Sequence, residues 1–325
     1  MTPLERALRE RIQSEGPISV ESFMEACNTY YYATRNPFGA GGDFTTAPEI
    51  SQMFGELAGA CLADAWKRAG APADAIYAEL GPGRGTLAAD ALRVMGAAGF
   101  SGEVHFVETS PVLRNAQKEA VPRARWHEAI DELPRSPLLL IANEFLDALP
   151  VQQFVGALER RVGVAARGLA FDRDGEIVER SPARDSAVGA VARHVAEHGG
   201  LALIIDYGHE RSAPGETLQA VRGHRHTAVL DNPGEQDLTA HVDFEAVARV
   251  ACEAGGHVSR LITQGKWLNR LGIGARAAAL EASNPQRAEA LASAVQRLTA
   301  PSGMGDLFKV LAIHSDSWPS PAGFE

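Results

Sequence analysis

The stretch Glu79-Leu80-Gly81-Pro82-Gly83-Arg84-Gly85 joins a short apolar run, residues 75–80, to a segment with helical spacing that begins at Thr86. Its three glycines let the main chain turn tightly and approach a ligand without collisions from Cβ atoms. A helix that starts directly after such a loop presents free N–H groups to a carboxylate or a phosphate. The stretch therefore predicts a strand–loop–helix unit with a ligand bound at the loop.

The same alternation of apolar runs and helical segments continues along the chain. The run at 138–142 is almost entirely apolar, which is typical of a central parallel strand buried on both faces. We predict an α/β, Rossmann-like fold with a seven-stranded, mostly parallel sheet. Its strands are expected at residues 75–80, 103–108, 125–127, 138–142, 201–206, 257–262 and 307–313.

The remaining segments suggest how the chain is divided. Residues 1–70 have helical spacing and are predicted to form an N-terminal cap over the ligand site. The core is expected over 71–313, with lid segments inserted at about 151–200 and 264–303, and with 314–325 as a tail. Short alternating runs at 151–180 predict an antiparallel meander.

Composition argues against several classes of protein. The 325 residues carry a formal net charge of −10, whereas a nucleic-acid binder needs a basic face. The cysteines, Cys27, Cys61 and Cys252, lack metal-ligand spacing, so no metal site is expected. No apolar run is long enough to span a membrane. The N-terminal segment lacks the composition of a targeting peptide, which favours a cytoplasmic protein.

The glycine loop departs from the dinucleotide-binding fingerprint, G-x-G-x-x-G, because Thr86 stands where the last glycine is required. With Glu79 two positions before the first glycine, the arrangement E-x-G-x-G-x-G resembles motif I of class I methyltransferases, which bind S-adenosylmethionine. Glu108 ends the next strand, where a carboxylate can accept both ribose hydroxyls. The alternative for Glu79 and Glu108 is a strand-end carboxylate with no ligand.

The fourth predicted strand ends at Asn143, Glu144 and, shortly after, Asp147. The carboxyl ends of parallel strands face the ligand crevice, so these side chains are expected beside the transferred methyl group. A guanidinium acceptor stays protonated and would need carboxylates to hold it. Glu144 is the first candidate for this role and Asp147 the second, and the alternative is that Asp147 only caps a helix or turn.

Three further segments are rich in polar residues. Residues 206–209 end the fifth strand and are expected to line the same crevice. Thr239, His241 and Asp243 precede a helix and are candidates for its cap. The basic cluster at 222–226 is interpreted as a loop that faces a protein substrate.

Long stretches of the chain resemble the MidA family, which includes the mitochondrial complex I assembly methyltransferase. The matching segments are residues 31–33, 36–39, 42–56, 79–85, 143–151, 205–208, 215–218, 232–234, 237–244, 264–265 and 304–305.

The resemblance implies a class I fold with a substrate lid and symmetric dimethylation of an arginine in a complex I subunit. It implies that Gly81, Gly83 and Glu108 bind S-adenosylmethionine, with S-adenosylhomocysteine as product, and that Asn143 and Glu144 stand at the transfer site. Gly85 completes the loop. The segment 44–54 is expected to cross the cofactor and to supply polar contacts from Thr45, Thr46, Ser51 and Gln52, with helix capping as the alternative.

The leading hypothesis is therefore protein arginine N-methylation. A second keeps the cofactor but methylates a small molecule or a carboxylate. A third is a non-catalytic assembly factor, against which the intact glycine loop and Glu108 both argue. A nicotinamide oxidoreductase is disfavoured by Thr86.

Overall fold

The computed structural model describes residues 1–34, 45–166 and 168–325. Its N-terminal part is mainly helical. The first helix starts where the Thr2 hydroxyl accepts a hydrogen bond from the Glu5 main-chain N–H (3.0 Å) and Pro3 occupies the first turn. The elements are α1 (Pro3–Glu15), β1 (Ile18–Ser19), α2 (Val20–Thr34), α3 (Ala47–Ile50) and α4 (Gln52–Arg68).

The first half of the α/β core follows and alternates strands with helices. The elements are β2 (Ile76–Leu80), α5 (Thr86–Ala97), β3 (Val104–Val107), α6 (Pro111–Ala120), β4 (Arg125–His127) and β5 (Leu138–Asn143). Strands β2, β3 and β5 are buried along their whole length, whereas β4 at the edge is partly exposed. Ser110 and Pro111 start the helix after the second of these strands.

The rest of the chain contains short strands as well as core elements. Its first part holds β6 (Gln152–Val155), β7 (Leu158–Glu159), β8 (Arg161–Ala165), β9 (Gly168–Phe171), β10 (Ile177–Arg180), α7 (Pro182–His198) and β11 (Gly200–His209). Its second part holds β12 (Gln219–Arg222), β13 (Arg225–Thr227), β14 (Asp237–Thr239), β15 (Val242–Asp243), α8 (Phe244–Glu253), β16 (His257–Val258), β17 (Ile262–Thr263), α9 (Gln264–Arg270), α10 (Ile273–Ser283), α11 (Ala288–Thr299), α12 (Met304–Leu307) and β18 (Phe308–His314).

The main sheet has the order β16-β18-β11-β5-β2-β3-β4, which gives seven positions across its width. Strands β11, β5, β2, β3 and β4 are parallel, and β18 is antiparallel to β11. The predicted Rossmann-like α/β class is confirmed. The described residues form nine strands in this sheet rather than seven. One edge position is divided between β16 and β17, and β15 adds a short parallel pairing to the end of β11.

Helices cover both faces of the main sheet. Strand β5 sends Leu139 and Ile141 to the side covered by α4, α5 and the helices α9 to α11. It sends Leu138 and Leu140 to the opposite side, where α7 and α8 pack. This double burial explains why the strand is apolar at nearly every position. Helix α7, which lies inside the predicted first insertion, therefore packs on the main sheet.

Helix α4 approaches α5 closely because it has glycine where the two helices touch. A Cβ atom built on Gly59 would lie 2.6 Å from the Cα atom of Ala91, and one on Gly55 would lie 2.8 Å from the Cβ atom of Asp90. Side chains at these positions would force the helices apart. Helix α4 is thus packed onto the core and positions the short helix α3 that precedes it.

A second, smaller core joins the N-terminal helices to the short strands. Leu8 and Ile12 of α1 pack with residues of α2, β8, β12 and β14. The strands of residues 151–180 belong to two different sheets, of order β10-β6-β7 and β1-β8-β9. The predicted single meander is therefore wrong, since β8 pairs with the distant N-terminal strand β1.

Among the residues that the model describes, no helix combines the length and the apolar character needed to span a membrane.

Candidate active site

The loop after β2 is built on glycines with positive φ angles. Gly81, Gly83 and Gly85 have φ values of 58°, 55° and 82°, a region that side chains disfavour. A Cβ atom on Gly81 would also lie 2.9 Å from the Phe145 ring. Helix α5 begins directly after Gly85, so the N–H groups of its first turn face the loop. The structure thus provides the main-chain cradle that the sequence predicts.

Glu79 lies beneath this loop and is almost fully buried, with 3% of its surface exposed. Its carboxylate accepts a hydrogen bond from the Tyr77 hydroxyl (2.8 Å). Burial raises the pKa of Glu79 to about 8, and the Tyr77 hydrogen bond opposes this shift. Glu79 therefore lines the loop as a carboxyl group that titrates near neutral pH.

Glu108, at the end of β3, is held in place by two hydrogen bonds. One carboxylate oxygen accepts from the Ser110 N–H (2.8 Å) and the other from the Gln117 amide (3.0 Å). The same Gln117 nitrogen donates to the carbonyl of Gly83 (2.8 Å). Each carboxylate oxygen can accept a second bond, so both remain available to the two hydroxyls of a ribose.

Gln117, which bridges Glu108 and Gly83, was not singled out by the sequence analysis. This residue is fully buried on α6, and its side-chain oxygen accepts a hydrogen bond from the Trp126 indole (2.7 Å). The only sequence signal is its position four residues after Leu113, on the buried side of the helix. Gln117 therefore ties Glu108 to the glycine loop.

A small cavity of about 40 Å³ lies between the glycine loop and the segment that leads into α3. Its lining includes Thr46, Glu49, Arg84 and Asn143. The Thr86 hydroxyl donates to Glu49 (2.8 Å), and the Arg84 guanidinium lies 3.5 Å from the same carboxylate. Glu49, which the sequence analysis did not single out, is therefore part of the wall of this cavity.

The four polar residues predicted to cross the cofactor are not equivalent in the structure. Thr46 lines the small cavity, and half-buried Thr45 precedes it. The Ser51 hydroxyl instead accepts from the Met53 N–H at the start of α4, and the Gln52 amide donates to Glu56 (3.0 Å). Ser51 therefore caps helix α4, as in the capping alternative, and Gln52 pairs with Glu56 one turn along the same helix. Residues 36–39 and 42–44 of the family motifs lie outside the described residues.

Glu144 follows β5 in a strained position. Its φ angle of 52° is rare for a residue with a side chain. The Glu144 N–H donates to the Ile205 carbonyl (2.9 Å), and its carboxylate accepts from the Ala47 N–H (3.2 Å) and the Asn143 amide (3.1 Å). Burial, followed by the neighbouring charge of Asp147, raises the pKa of Glu144 to about 8. These contacts hold the carboxylate in one orientation.

A larger cavity of about 410 Å³ lies on the other side of Glu144. Glu144 lines both this cavity and the small one at the glycine loop. Asp147 also lines the larger cavity, with Tyr32, Tyr207 and His241 among its other walls. The structure thus brings together the predicted transfer-site residues, and Glu144 separates the two spaces.

Two buried oxygen atoms at this point make no hydrogen bond within the described residues: Oδ1 of Asn143 and Oδ1 of Asp147. Burial raises the pKa of Asp147, and Tyr207 and Arg184 oppose the shift. A buried polar atom without a partner costs about 1–3 kcal/mol. These acceptor atoms would therefore be satisfied by a ligand that donates hydrogen bonds.

The loop that carries Asp147 is fixed by a buried acid and a buried base. Asp206, at the end of the straight part of β11, accepts from the N–H groups of Leu146 (3.0 Å) and Asp147 (3.2 Å). Arg184, in the first turn of α7, donates to the carbonyls of Leu146 (2.7 Å) and Asp147 (3.3 Å). Asp206 was expected in the crevice, whereas Arg184 was missed because it is distant in sequence.

The fold and the site fit S-adenosylmethionine. Glycine-loop N–H groups and the first turn of α5 suit its carboxylate, Glu108 suits its ribose, and the unpartnered Asn143 oxygen lies where β5 meets the loop. The class defined by this arrangement is a Rossmann-like methyltransferase that uses S-adenosylmethionine.

Comparison with known proteins gives the same class. A family model described as an S-adenosyl-L-methionine-dependent methyltransferase matches residues 57–168 and 158–262. The chain belongs to this family, and the resemblance to MidA proteins is confirmed.

Individual relatives extend the match over nearly the whole chain. The mitochondrial protein arginine methyltransferase NDUFAF7 homolog of Drosophila melanogaster is 35% identical, across 97% of this chain and 87% of its own length. Human NDUFAF7, also named a mitochondrial protein arginine methyltransferase, is 32% identical across 96% of this chain and 83% of its own length. A Burkholderia thailandensis protein crystallised with S-adenosyl-homocysteine has a TM-score of 0.85 and 28% identity, covering 98% of this chain and 93% of that chain.

The names of these relatives contradict the prediction of a cytoplasmic protein, since they are mitochondrial. That prediction rested on the composition of the first residues. In the structure these residues form α1, whose Leu8 and Ile12 are buried in a core. Their composition therefore reflects helix packing and does not report the compartment.

Proposed function

We propose that this methyltransferase transfers methyl groups to an arginine side chain of a protein, with symmetric dimethylation as the outcome. The observation that carries the proposal is the position of Glu144, which lines both the small cavity at the glycine loop and the larger cavity beyond it. A donor held at the loop and an acceptor in the larger cavity would meet at this carboxylate. The names of the arginine methyltransferase relatives support the same acceptor.

The charge of the larger cavity favours a cationic acceptor. Glu144, Asp147 and Asp206 lie close enough that the neighbouring charges of Asp147 and Glu144 raise the pKa of Asp206, after the larger effect of burial. A guanidinium stays protonated at neutral pH and offers five N–H donors in a planar fork. Paired with Glu144 and the unpartnered Asp147 oxygen, it would offset this repulsion and satisfy the buried acceptor.

In this proposal each group in the site has a distinct task. The loop at Gly81 and Gly83 and the first turn of α5 hold the amino-acid end of the cofactor, and Glu108 holds its ribose. S-adenosylmethionine supplies the methyl group. Glu144 and Asp147 bind the guanidinium and keep one of its nitrogens facing the donor. Asn143 orients Glu144 through its amide hydrogen bond.

Other acceptors fit the cavity less well. A carboxylate acceptor offers no N–H donor to the unpartnered Asp147 oxygen and would bring a further carboxyl group beside Glu144 and Asp147. A non-catalytic assembly factor would have no need of two aligned cavities with unpartnered oxygens. A complex I subunit as the target protein follows from the family resemblance alone.

The test is methylation by the purified protein with radiolabelled S-adenosylmethionine, using proteins extracted from cells that lack it as acceptors. We expect label in arginine, identified by mass spectrometry as symmetric dimethylarginine. Glu144→Gln should lower kcat/KM by roughly 100-fold or more, since it removes a preorganised charge at the reacting group. Its affinity for S-adenosylhomocysteine should stay within about twofold, because Glu108 and the glycine loop are intact.

Glu197→Gln is the matched control, since this carboxylate is exposed on α7 and should have no effect. Wild-type turnover by Glu144→Gln would remove Glu144 from the mechanism. Label found only in small molecules would replace the arginine acceptor by the small-molecule alternative.

A further inference from the structure

His241 lies between two cavities. It lines the larger cavity of about 410 Å³, from here on called the acceptor cavity, together with Asp147 and Tyr207. It also lines a further cavity of about 490 Å³, here called the second cavity, whose walls include residues of β10, α7 and α8. The sequence suggested only that this residue caps the helix that follows. In the structure Asp243 is the N-cap of this helix, because its carboxylate accepts a hydrogen bond from the Ala246 N–H (3.1 Å). His241 therefore does not cap the helix.

The main chain of His241 is fixed from both sides. Its N–H donates to the Thr217 hydroxyl (2.9 Å), and its carbonyl accepts from Arg184 (2.7 Å). Arg184 also holds the Asp147 loop, so a single guanidinium positions both the acidic wall and the His241 wall of the acceptor cavity. The position of the imidazole relative to Asp147 is thereby set by the fold.

The ring of His241, in contrast, has no polar partner within the described part of the chain. It packs edge-on against Tyr207, with 5.5 Å between the ring centroids and an interplanar angle of 86°. Neither ring nitrogen takes part in a hydrogen bond or an ion pair with a described residue. The aromatic contact orients the imidazole and leaves its nitrogens available to a ligand.

Arginine methylation releases one proton for each methyl group. The acceptor nitrogen uses its electron pair to form the new N–C bond, while the S–C bond breaks and its electron pair stays on sulfur. The guanidinium was a cation before transfer and is again a cation afterwards, so the extra proton on nitrogen must leave. Glu144 and Asp147 are engaged in holding the cation, which leaves the proton to another base.

We propose that His241 takes this proton from the acceptor nitrogen and releases it toward the second cavity. The inference rests on the proposed arginine acceptor. Burial lowers the pKa of His241, so the ring is neutral at neutral pH and can accept a proton. The second cavity is lined by polar side chains such as His209, Ser212 and Asp243. These groups can receive the proton when it leaves the imidazole ring.

The experiment uses the arginine peptide that the wild-type protein methylates fastest. His241→Ala should lower kcat by roughly 100-fold or more, the usual contribution of a general base. Calorimetry should give affinities for S-adenosylhomocysteine and for the peptide within about twofold of wild type, because the glycine loop, Glu108, Glu144 and Asp147 are unchanged. Added imidazole should restore turnover, with substituted imidazoles rescuing in order of their pKa. His257→Ala, at an exposed histidine of the edge strand β16 that lines neither cavity, is the control and should retain the wild-type rate.

Unchanged kcat in His241→Ala would overturn the inference. A loss of kcat that imidazole does not rescue would also overturn it, because it would indicate a structural role. The activity of the wild-type protein is measured first. If it methylates no arginine at all, the proposed function itself fails, and this outcome is distinct from a failure of the His241 proposal.

Discussion

Glu144 shows how backbone strain and charge are combined at one residue. Its left-handed backbone conformation costs on the order of 1–3 kcal/mol, and three hydrogen bonds maintain it. This conformation places the carboxylate between the two cavities. The strain and the raised pKa thus occur at the residue that the proposed function requires.

The pKa of Glu144 predicts how acceptor binding depends on pH. Burial and Asp147 raise this pKa to about 8, so in the free protein the group is largely neutral below that pH and charged above it. A cation pairs with the charged form, and arginine stays protonated throughout this range. We therefore expect the affinity for an arginine peptide to rise as pH increases through about 8.

Calorimetric titration of the peptide on either side of pH 8 measures this effect. Glu144→Gln cannot titrate and should bind weakly with much less dependence on pH. Equal pH dependence in both proteins would assign the titration to another group.

At the scale of elements, the contact between α4 and α5 fixes the position of α3 above the glycine loop. Gly59→Ala places a Cβ atom 2.6 Å from the main chain of Ala91, so the helices must shift. Overpacking of this kind costs about 1–3 kcal/mol, and we expect the free energy of unfolding to fall by that amount. Urea denaturation followed by circular dichroism measures it.

Gly96→Ala is the matched control, because it lies exposed in α5 with no atom near its added Cβ. Alanine favours the helix over glycine by about 1 kcal/mol, so this variant should be as stable as the wild type or more stable. Equal destabilisation by both substitutions would show that helix propensity, and not the interhelical contact, determines the result.

At the scale of the whole molecule, the site draws on distant parts of the chain. The glycine loop and Glu108 follow β2 and β3, and the acceptor cavity is lined by residues of α2, the loop after β5, β11, β12 and β14. Ligand binding should therefore stabilise the folded protein as a unit. At 100 times its Kd, S-adenosylhomocysteine should raise the free energy of unfolding by about 2.7 kcal/mol.

Glu108→Ala tests that linkage. It removes charge-assisted hydrogen bonds worth about 1.5–3 kcal/mol, which corresponds to a Kd increased by about 10- to 100-fold. Thermal unfolding is measured at increasing concentrations of S-adenosylhomocysteine. Glu108→Ala should need a higher concentration than the wild type to reach the same stabilisation. Glu103→Ala, at the exposed opposite end of the same strand, should leave the titration unchanged. Full stabilisation of Glu108→Ala at wild-type concentrations would exclude Glu108 from the ribose site.

Features that depend only on neighbouring residues could be predicted from the amino-acid sequence. The glycine loop, the apolar β5, and the acids directly after β3 and β5 follow from local spacing, because strand ends and tight turns require particular residues in place. These patterns were sufficient for the α/β class and for Glu108, Asn143, Glu144 and Asp147 as candidates.

Contacts between groups that are distant in sequence became visible only in the folded chain. Gln117 bridges Glu108 to the loop, Arg184 holds two segments of the acceptor cavity, and β8 pairs with β1 instead of completing a meander. Ser51 and Gln52 had the polarity of ligand contacts, yet packing directs them to α4. The physical reason is that the partner of a buried polar group is chosen by long-range packing, which local spacing does not encode.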